Sequence, residues 1–529
     1  MKKALILFMI VSLLSSCGVQ KQPAKEDTKQ STTIENKTTV QDVQTVDFDL
    51  GEKVYKNREG MIDMPYKLQG TLSFPKDKGN YPLVIILHGN HDNNDSKLRF
   101  DKGFKEVGEK IAEKGFVAAA FNYQPAYDWK YGDSDEKEKF FKMYPEFVRA
   151  LDQMNQDGIY KTKNKLEEKS LVQKIDFNKR FILGHSRGGE IAYELASKEK
   201  EFLGVINYGM MDPVVKETDR DIPFLTITPQ YDGDVKDNEG YVISRLIHAL
   251  PNRKRPIYYL YGYGMNHNDI NPSIGRNDAE NFGEVKLIGK DGQQKFLSDT
   301  AVDFFKFTLG KRAGDSFYNS DSSVVNYKDQ KVQSLIYEPE RETLLLNADS
   351  KADFKTKQAK ISPKIWSTDT KRHEYQGLNM PMSGEEDYKE LKLLHLEYSN
   401  KGAEVSFRPS VNDLSVYRDL RMDLVMDSSD QRNIKGQAFQ IILKDKDGKE
   451  QIIEVKDHPV LEYQIGQNEK TEVEGKDYYS YSVLTPVTMI RLPLSGIKNI
   501  DLKNIEEIKF FMNQRDGGSL EIERILLEK

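Results

Sequence analysis

The stretch FILGHSRGGE (181–190) sets a single serine between glycines, directly after an apolar run and directly before a segment of helical character. Gly184, His185, Ser186, Arg187 and Gly188 form a G-x-S-x-G pattern. The pattern has a steric basis. A residue on a sharp strand-to-helix turn holds strained backbone geometry, and its flanks must be small so that strand and helix can approach. Alone the pattern is common, but here its context fits. RFIL reads as a strand before it and EIAYELA as a helix after it. Ser186 is therefore a candidate nucleophile, with Gly184 and Gly188 as the small flanks of its turn.

Outward from this turn, the chain from 46 to 312 alternates strand-like and helix-like segments. YPLVIILHG (81–89), FVAAAFNY (116–123), FLGVINYGM, IPFLTIT and RPIYYLYGYG are continuous apolar runs, as expected of strands buried on both faces. FKEVGEKIAEKG (104–115) and LSDTAVDFFKFTLG (297–310) carry apolar positions at helical spacing. EKFFKMYPEFVRALDQM also reads as helical, with Pro145 marking a break or a new start. Such alternation predicts an α/β domain built on a mostly parallel sheet. Near Gly314 the pattern changes to short alternating runs, so 313–529 is expected to be an all-β sandwich. In RDLRMDLVMD, Leu420, Met422, Leu424 and Met426 share one strand face, and FQIILKDKDGKEQIIEV (439–455) reads as a hairpin.

The N-terminus is of a different kind. Met1, Lys2 and Lys3 precede the apolar ALILFMIVSLL (4–14), which ends in Leu14-Ser15-Ser16-Cys17-Gly18. This is a leader of export type over residues 1–17, and it resembles the lipobox of bacterial lipoproteins, whose cysteine is acylated. Cys17 is the only cysteine of the 529 residues. Lipidated, it would anchor the protein to the membrane outside the cytoplasm, and the mature chain would hold no disulfide. Residues 18–45 are polar and expected to be a flexible linker. The net charge of −6, with lysines scattered, argues against nucleic acid as a partner.

A serine hydroxyl needs a base, and the base needs an orienting acid. In folds with a G-x-S-x-G elbow the chain order is Ser, acid, His. Downstream of Ser186, His373, His395 and His458 fall in the all-β half, and His248 lies on a helix-like segment. His267, in the Gly- and Asn-rich stretch GMNHNDIN after the last strand run, is the candidate base. The stretch PQYDGDVKDNEG after IPFLTIT offers Asp232 as the acid and Asp234 as its alternative. An oxyanion would be received by two backbone N–H groups, those of Arg187 and of Asn90 in the His88-Gly89-Asn90 turn. His88 reads as bonding locally and shaping that turn, a reading preferred to a metal site formed with His91 and Asp92; no metal is called for, nor any organic cofactor.

The blocks HGNH (88–91), GHSRGGE (184–190), YDGDVKDNEG (231–240) and GMNHNDIN (264–271) together resemble a family of secreted bacterial α/β-hydrolases related to the chlorophyllase and polyester-hydrolase group. The likeness covers roughly residues 65–310. It implies the α/β-hydrolase fold and an ester hydrolase with Ser186, Asp232 and His267 as its triad, acting on a small-molecule or polymeric ester. The chain departs from the family at Asn90, Tyr231 and Asp269-Ile270, which bears on substrate preference. A serine peptidase on the same machinery, or a surface binding protein whose hydrolase fold is silent, are the alternatives. The segment MIRLPLSGIKNIDLKNIEEIKFFMNQRDGGSLEIERILL (489–527) resembles galactose-binding-like jelly rolls. That implies a possible glycan contact, for which Trp366, Tyr375, Tyr463, Tyr478 and Tyr479 are candidate stacking residues.

Overall fold

Continuous apolar strands become the centre of a large sheet. The computed structural model describes residues 41–56, 62–132, 136–158, 171–211, 213–235, 239–282, 284–311, 324–365, 392–427, 430–462, 468–473, 476–481 and 487–529. Cys17 and its leader lie outside them. The described residues fall in one compact unit, and no helix among them is long and apolar enough to cross a membrane.

In chain order, the strands of the large sheet are β1 (Val43–Lys56), β2 (Asp63–Pro75), β3 (Tyr81–Leu87), β4 (Val117–Phe121), β5 (Ile175–His185), β6 (Phe202–Tyr208), β7 (Phe224–Tyr231), β8 (Ile257–Asn266), β9 (Val324–Tyr327) and β10 (Gln330–Tyr337). They lie side by side as β1-β2-β4-β3-β5-β6-β7-β8-β10-β9. From β4 to β8 every pairing is parallel; the strands outside that block pair antiparallel. Parallel neighbours need long crossovers. Helices α1 (Lys105–Ala112), α2 (Gln124–Tyr127), α3 (Glu136–Asp157), α4 (Arg187–Ala196) and α5 (Glu239–His248) lie in these connections, and α6 (Gly289–Thr308) follows β8. Leu83, Val84, Ile85 and Leu87 of β3 are wholly buried, which is why this strand has no polar alternation to read.

Two local expectations shift. Helix α3 runs through Pro145 without a break. The proline forfeits one backbone bond to the preceding turn, but Phe140, Met143, Tyr144, Phe147, Leu151 and Met154 are buried on both sides of it and keep the helix on the sheet. The sheet also begins at Val43, inside the stretch expected to be linker, and ends beyond 313. Strand β10 pairs with β8 from Val332↔Gly262 to Tyr337↔Ile257, so residues 324–337 belong to this sheet.

The remaining strands are β11 (Glu342–Asn347), β12 (Lys355–Lys357), β13 (Ala359–Ile365), β14 (Lys392–Tyr398), β15 (Ala403–Phe407), β16 (Asp419–Met426), β17 (Phe439–Asp445), β18 (Glu450–Val455), β19 (Asn468–Val473), β20 (Lys476–Tyr481), β21 (Thr488–Pro493), β22 (Ile505–Met512) and β23 (Gly518–Glu528). One sheet runs β13-β14-β23-β16-β21 with β11 on β23; a second runs β12-β15-β22-β17-β18; β19 and β20 pair by themselves. Leu420, Met422, Leu424 and Met426 enter a core shared with Ile441, Leu443, Ile508 and Phe510 from the second sheet. The turn joining β17 to β18 is closed by the Asp445 carboxylate, which accepts from the N–H groups of Asp447, Lys449 and Asp501 at 2.9 Å each. Trp366, Tyr375 and Tyr463 lie outside the described residues; Tyr478 and Tyr479 fall on β20, where side chains are not described.

The other face of β16 is buried too, and it is charged. Arg421 meets Asp423 at 2.6 Å and Glu528 at 2.8 Å; Arg524 meets Asp423 at 2.6 Å and Glu342 at 2.7 Å. Arg421 also donates to the backbone carbonyl of Ile336 on β10, at 2.5 Å. Glu523 accepts from Tyr241 of α5 at 2.8 Å and from Tyr337 of β10 at 2.9 Å. Burial would raise the Glu528 pKa, but Arg421 and Arg491 outweigh it and hold the carboxyl at about 2. The sandwich is thus fastened to α5 and β10 by ion pairs and apolar packing, with Val425 and Met489 inside the core of the large sheet. Removing one partner of a buried pair leaves uncompensated charge. Arg421→Met is expected to lower stability by about 3–5 kcal/mol, read as a reduced urea midpoint of the full chain.

Candidate active site

Ser186 is the one residue between the end of β5 and the start of α4. Its backbone sits at φ 56°, ψ −130°, a region that costs a non-glycine residue roughly 1–3 kcal/mol. Three backbone bonds hold it there. Its N–H donates to the Tyr208 carbonyl at 3.0 Å, and its carbonyl accepts from Gly189 at 2.8 Å and Met211 at 3.3 Å. The glycines are obligatory on steric grounds. A Cβ on Gly184 would lie 2.3 Å from the Gly188 carbonyl oxygen, and one on Gly188 would lie 2.5 Å from that of His88. A Cβ on Gly89 would lie 2.5 Å from the Ser186 Cβ, so the loop after β3 passes directly over the serine.

Asp232 follows the end of β7 and His267 follows the end of β8. His267 Nδ1 and Asp232 Oδ2 are 3.0 Å apart, both residues being buried. The other carboxylate oxygen of Asp232 accepts from the N–H groups of Asp234 at 3.0 Å and Val235 at 2.6 Å. Asp234 instead pairs with Arg276 at 2.9 Å, is one-third exposed, and lies 4.0 Å from His267 Nε2. Of the two carboxylates, Asp232 is the one bonded to Nδ1. Gly209, after β6, makes room for the pair; a Cβ there would lie 2.7 Å from Nδ1. Because a carboxylate can only accept, Nδ1 carries the proton and Nε2 offers a lone pair. Nε2 is buried with no hydrogen-bond partner among the described residues.

Charge distinguishes this histidine from its neighbours. Burial disfavours a charged His267, but Asp232, by charge and by hydrogen bond, with Asp234 and Asp278, more than offsets it and raises its pKa above 6.5. Burial pushes Asp232 upward, against the pull of His267. The rings of His185 and His91 stand 4.6 Å and 6.3 Å from that of His267. Burial and the charge of His267 drive both well below the ordinary histidine range. His267 is the member of the cluster suited to take a proton.

The remaining residues complete the picture. Arg187 is the first residue of α4, so its N–H has no acceptor within the helix and sits at the positive end of the helix dipole. Its guanidinium is engaged by Glu136. Asn90 lies in the loop over Ser186, with its side-chain oxygen buried and without a hydrogen-bond partner among the described residues. His88 uses both ring nitrogens: Nδ1 bonds the Gly89 carbonyl at 2.8 Å and Nε2 accepts from the Tyr123 N–H at 2.9 Å. It shapes the loop and has no free ligand atom. His248 is half-buried at the end of α5, facing Arg524 at 3.5 Å. Sequence reasoning missed His185, Gly209, Asn268 and Asp278. Nothing local marks Asp278, which sits in the polar stretch RNDAEN (276–281).

The arrangement predicts a pH dependence. His267 must be neutral to act as a base, so the rate should rise with pH through a midpoint above 6.5. Asp232→Asn removes the main influence raising that pKa and permits the wrong tautomer. The expected result is a fall in turnover of about 10³–10⁴ and an acid limb moved to lower pH; Asp234→Asn should cost far less. Steady-state ester hydrolysis across pH 5–9 measures both.

No protein-family model matches the chain. Esterase EstD of Thermotoga maritima is similar to it, 23% identical over 134 residues, which are 25% of this chain and 28% of that protein. The match thus spans under a third of the relative's length. This distant likeness to an esterase supports a hydrolase.

Proposed function

We propose that the chain is a serine hydrolase of the α/β-hydrolase fold that cleaves carboxylic esters. The observation that carries this reading is the placement of Ser186, Asp232 and His267. Each directly follows the carboxyl end of a parallel strand, β5, β7 and β8, in the chain order of such enzymes. The Ser186 oxygen attacks the ester carbonyl while its proton passes to His267 Nε2. Asp232 stabilises the imidazolium, and the N–H groups of Arg187 and Asn90 receive the oxyanion. His267 then protonates the departing alcohol, leaving an acyl-serine. Water, deprotonated by the same nitrogen, releases the acid and restores Ser186.

The leader ending at Cys17 supports a location outside the cytoplasm with a lipid anchor. For the sandwich, the charged face of β16 buried against α5 and β10 supports a bracing role over that of a free glycan-binding module. Fluorophosphonate labelling of the purified chain tests the enzyme reading. Labelling should occur and vanish in Ser186→Ala; absence of Ser186-dependent labelling, with no turnover of short acyl esters, would sink it and favour a silent binding protein.

A further inference from the structure

The ladder between β7 and β8 ends at the pair Tyr231↔Asn266, one residue short of both Asp232 and His267. Beyond that pair no strand hydrogen bonds fix how the two loops face each other. Asp278, which opens the short 3-10 turn Asp278–Phe282, is buried where the ladder stops. Its Oδ2 accepts from the N–H of Gly233 at 2.8 Å and of His267 at 2.9 Å. Its Oδ1 accepts from the N–H of Asn268 at 2.9 Å and the side-chain amide of Asn266 at 3.0 Å. One carboxylate is thus bonded next to the acid and to the base itself. The approach is close: a Cβ on Gly233 would lie 2.0 Å from the Asp278 carbonyl oxygen.

We propose that Asp278 is a positioning residue that carries the β7–β8 register past the end of the ladder and so holds Asp232 against His267. The role rests on the reading in which that pair serves Ser186. Hydrogen bonds to an ionised acceptor are about twice as strong as neutral ones, and only a carboxylate offers acceptors to all four donors. An asparagine of the same shape has one acceptor oxygen and turns an N–H₂ group toward the remaining donors. Asp278 is also one of several charges around the base. His267 is faced by Asp232 and Asp234 from the loop after β7, by His185 from β5 and by His91 from the loop after β3. Arg276 is held on Asp234, and Asp269, with Lys290 near it, lies close to Asp278.

The test uses the full chain with isotopically labelled histidines and compares Asp278→Asn with the parent. The expected result is loss of the strongly deshielded His267 Nδ1 proton signal, a lower midpoint for the His267 ring titration, and at least tenfold faster exchange of the Gly233 and Asn268 amides. Turnover should fall with KM unchanged. A folded Asp278→Asn chain that keeps the parent's Nδ1 proton and titration overturns the proposal. Should that variant fail to fold, the parent decides: the Gly233, His267 and Asn268 amides must exchange slowly and together, and surface-like exchange at Gly233 overturns it. These readouts need no turnover. A parent without Ser186-dependent labelling fails the esterase reading while leaving the Asp278 result to stand or fall alone.

Discussion

A crossing of backbones too close for side chains organises the first half of this protein. At the junction of β5 and α4 the chain passes within contact of itself and of the loop after β3, and Gly184, Gly188 and Gly89 stand where a Cβ would meet backbone or the serine at 2.3–2.5 Å. That crowding explains the strained backbone of Ser186, which relaxing the turn would relieve. Strain of this size persists only where surrounding structure over-determines it. Here the carbonyl of Tyr208 and the N–H groups of Gly189 and Met211 do so. The outcome is Ser186 at the carboxyl end of β5, next to His185, whose Nε2 bonds the His267 carbonyl at 3.1 Å.

Electrostatics then separates histidines that packing has brought together. His91, His185 and His267 lie within a few ångströms and share burial, which by itself disfavours charge on all of them. Only His267 has a carboxylate bonded to its ring, and only its pKa is raised. The same logic acts on a larger scale where the sandwich meets α5 and β10. Arg421, Arg524, Asp423, Glu342 and Glu528 tolerate burial because each charge meets an opposite one. Such a network adds little net stability but penalises any arrangement in which a partner is missing. It orients the second half on the first.

Much of this was legible in the sequence, and the failures share a cause. Strands β3, β4, β6, β7 and β8 announce themselves because strands buried on both faces are continuously apolar. The residues of the elbow are readable because the steric rule is local. Pro145 misleads because the packing that carries α3 past it lies on other segments. The pairing of β10 with β8 is invisible for the same reason: QKVQSLIY looks like any antiparallel strand, and only its partner assigns it to the large sheet. On β16, nothing in RDLRMDLVMD marks Arg421 and Asp423 as buried, because the counter-charges that permit it are brought by β11 and β23, distant in the chain.

The candidate site divides along the same line. Sequence alone determined which residue types are present and in what order, with Ser186 on a glycine-flanked turn, Asp232 and Asp234 in one loop, and His267 in another. Chemistry restricts residue types, and turns restrict their neighbours, so both leave a local trace. Sequence ranks Asp232 first with Asp234 as its alternative, but the two differ in surroundings only once one is buried on Nδ1 and the other drawn to Arg276. Asp278 leaves no local trace, although its carboxylate bonds both loops. Contacts between segments remote in sequence are set by strand pairing and burial, and those exist only once the chain has folded.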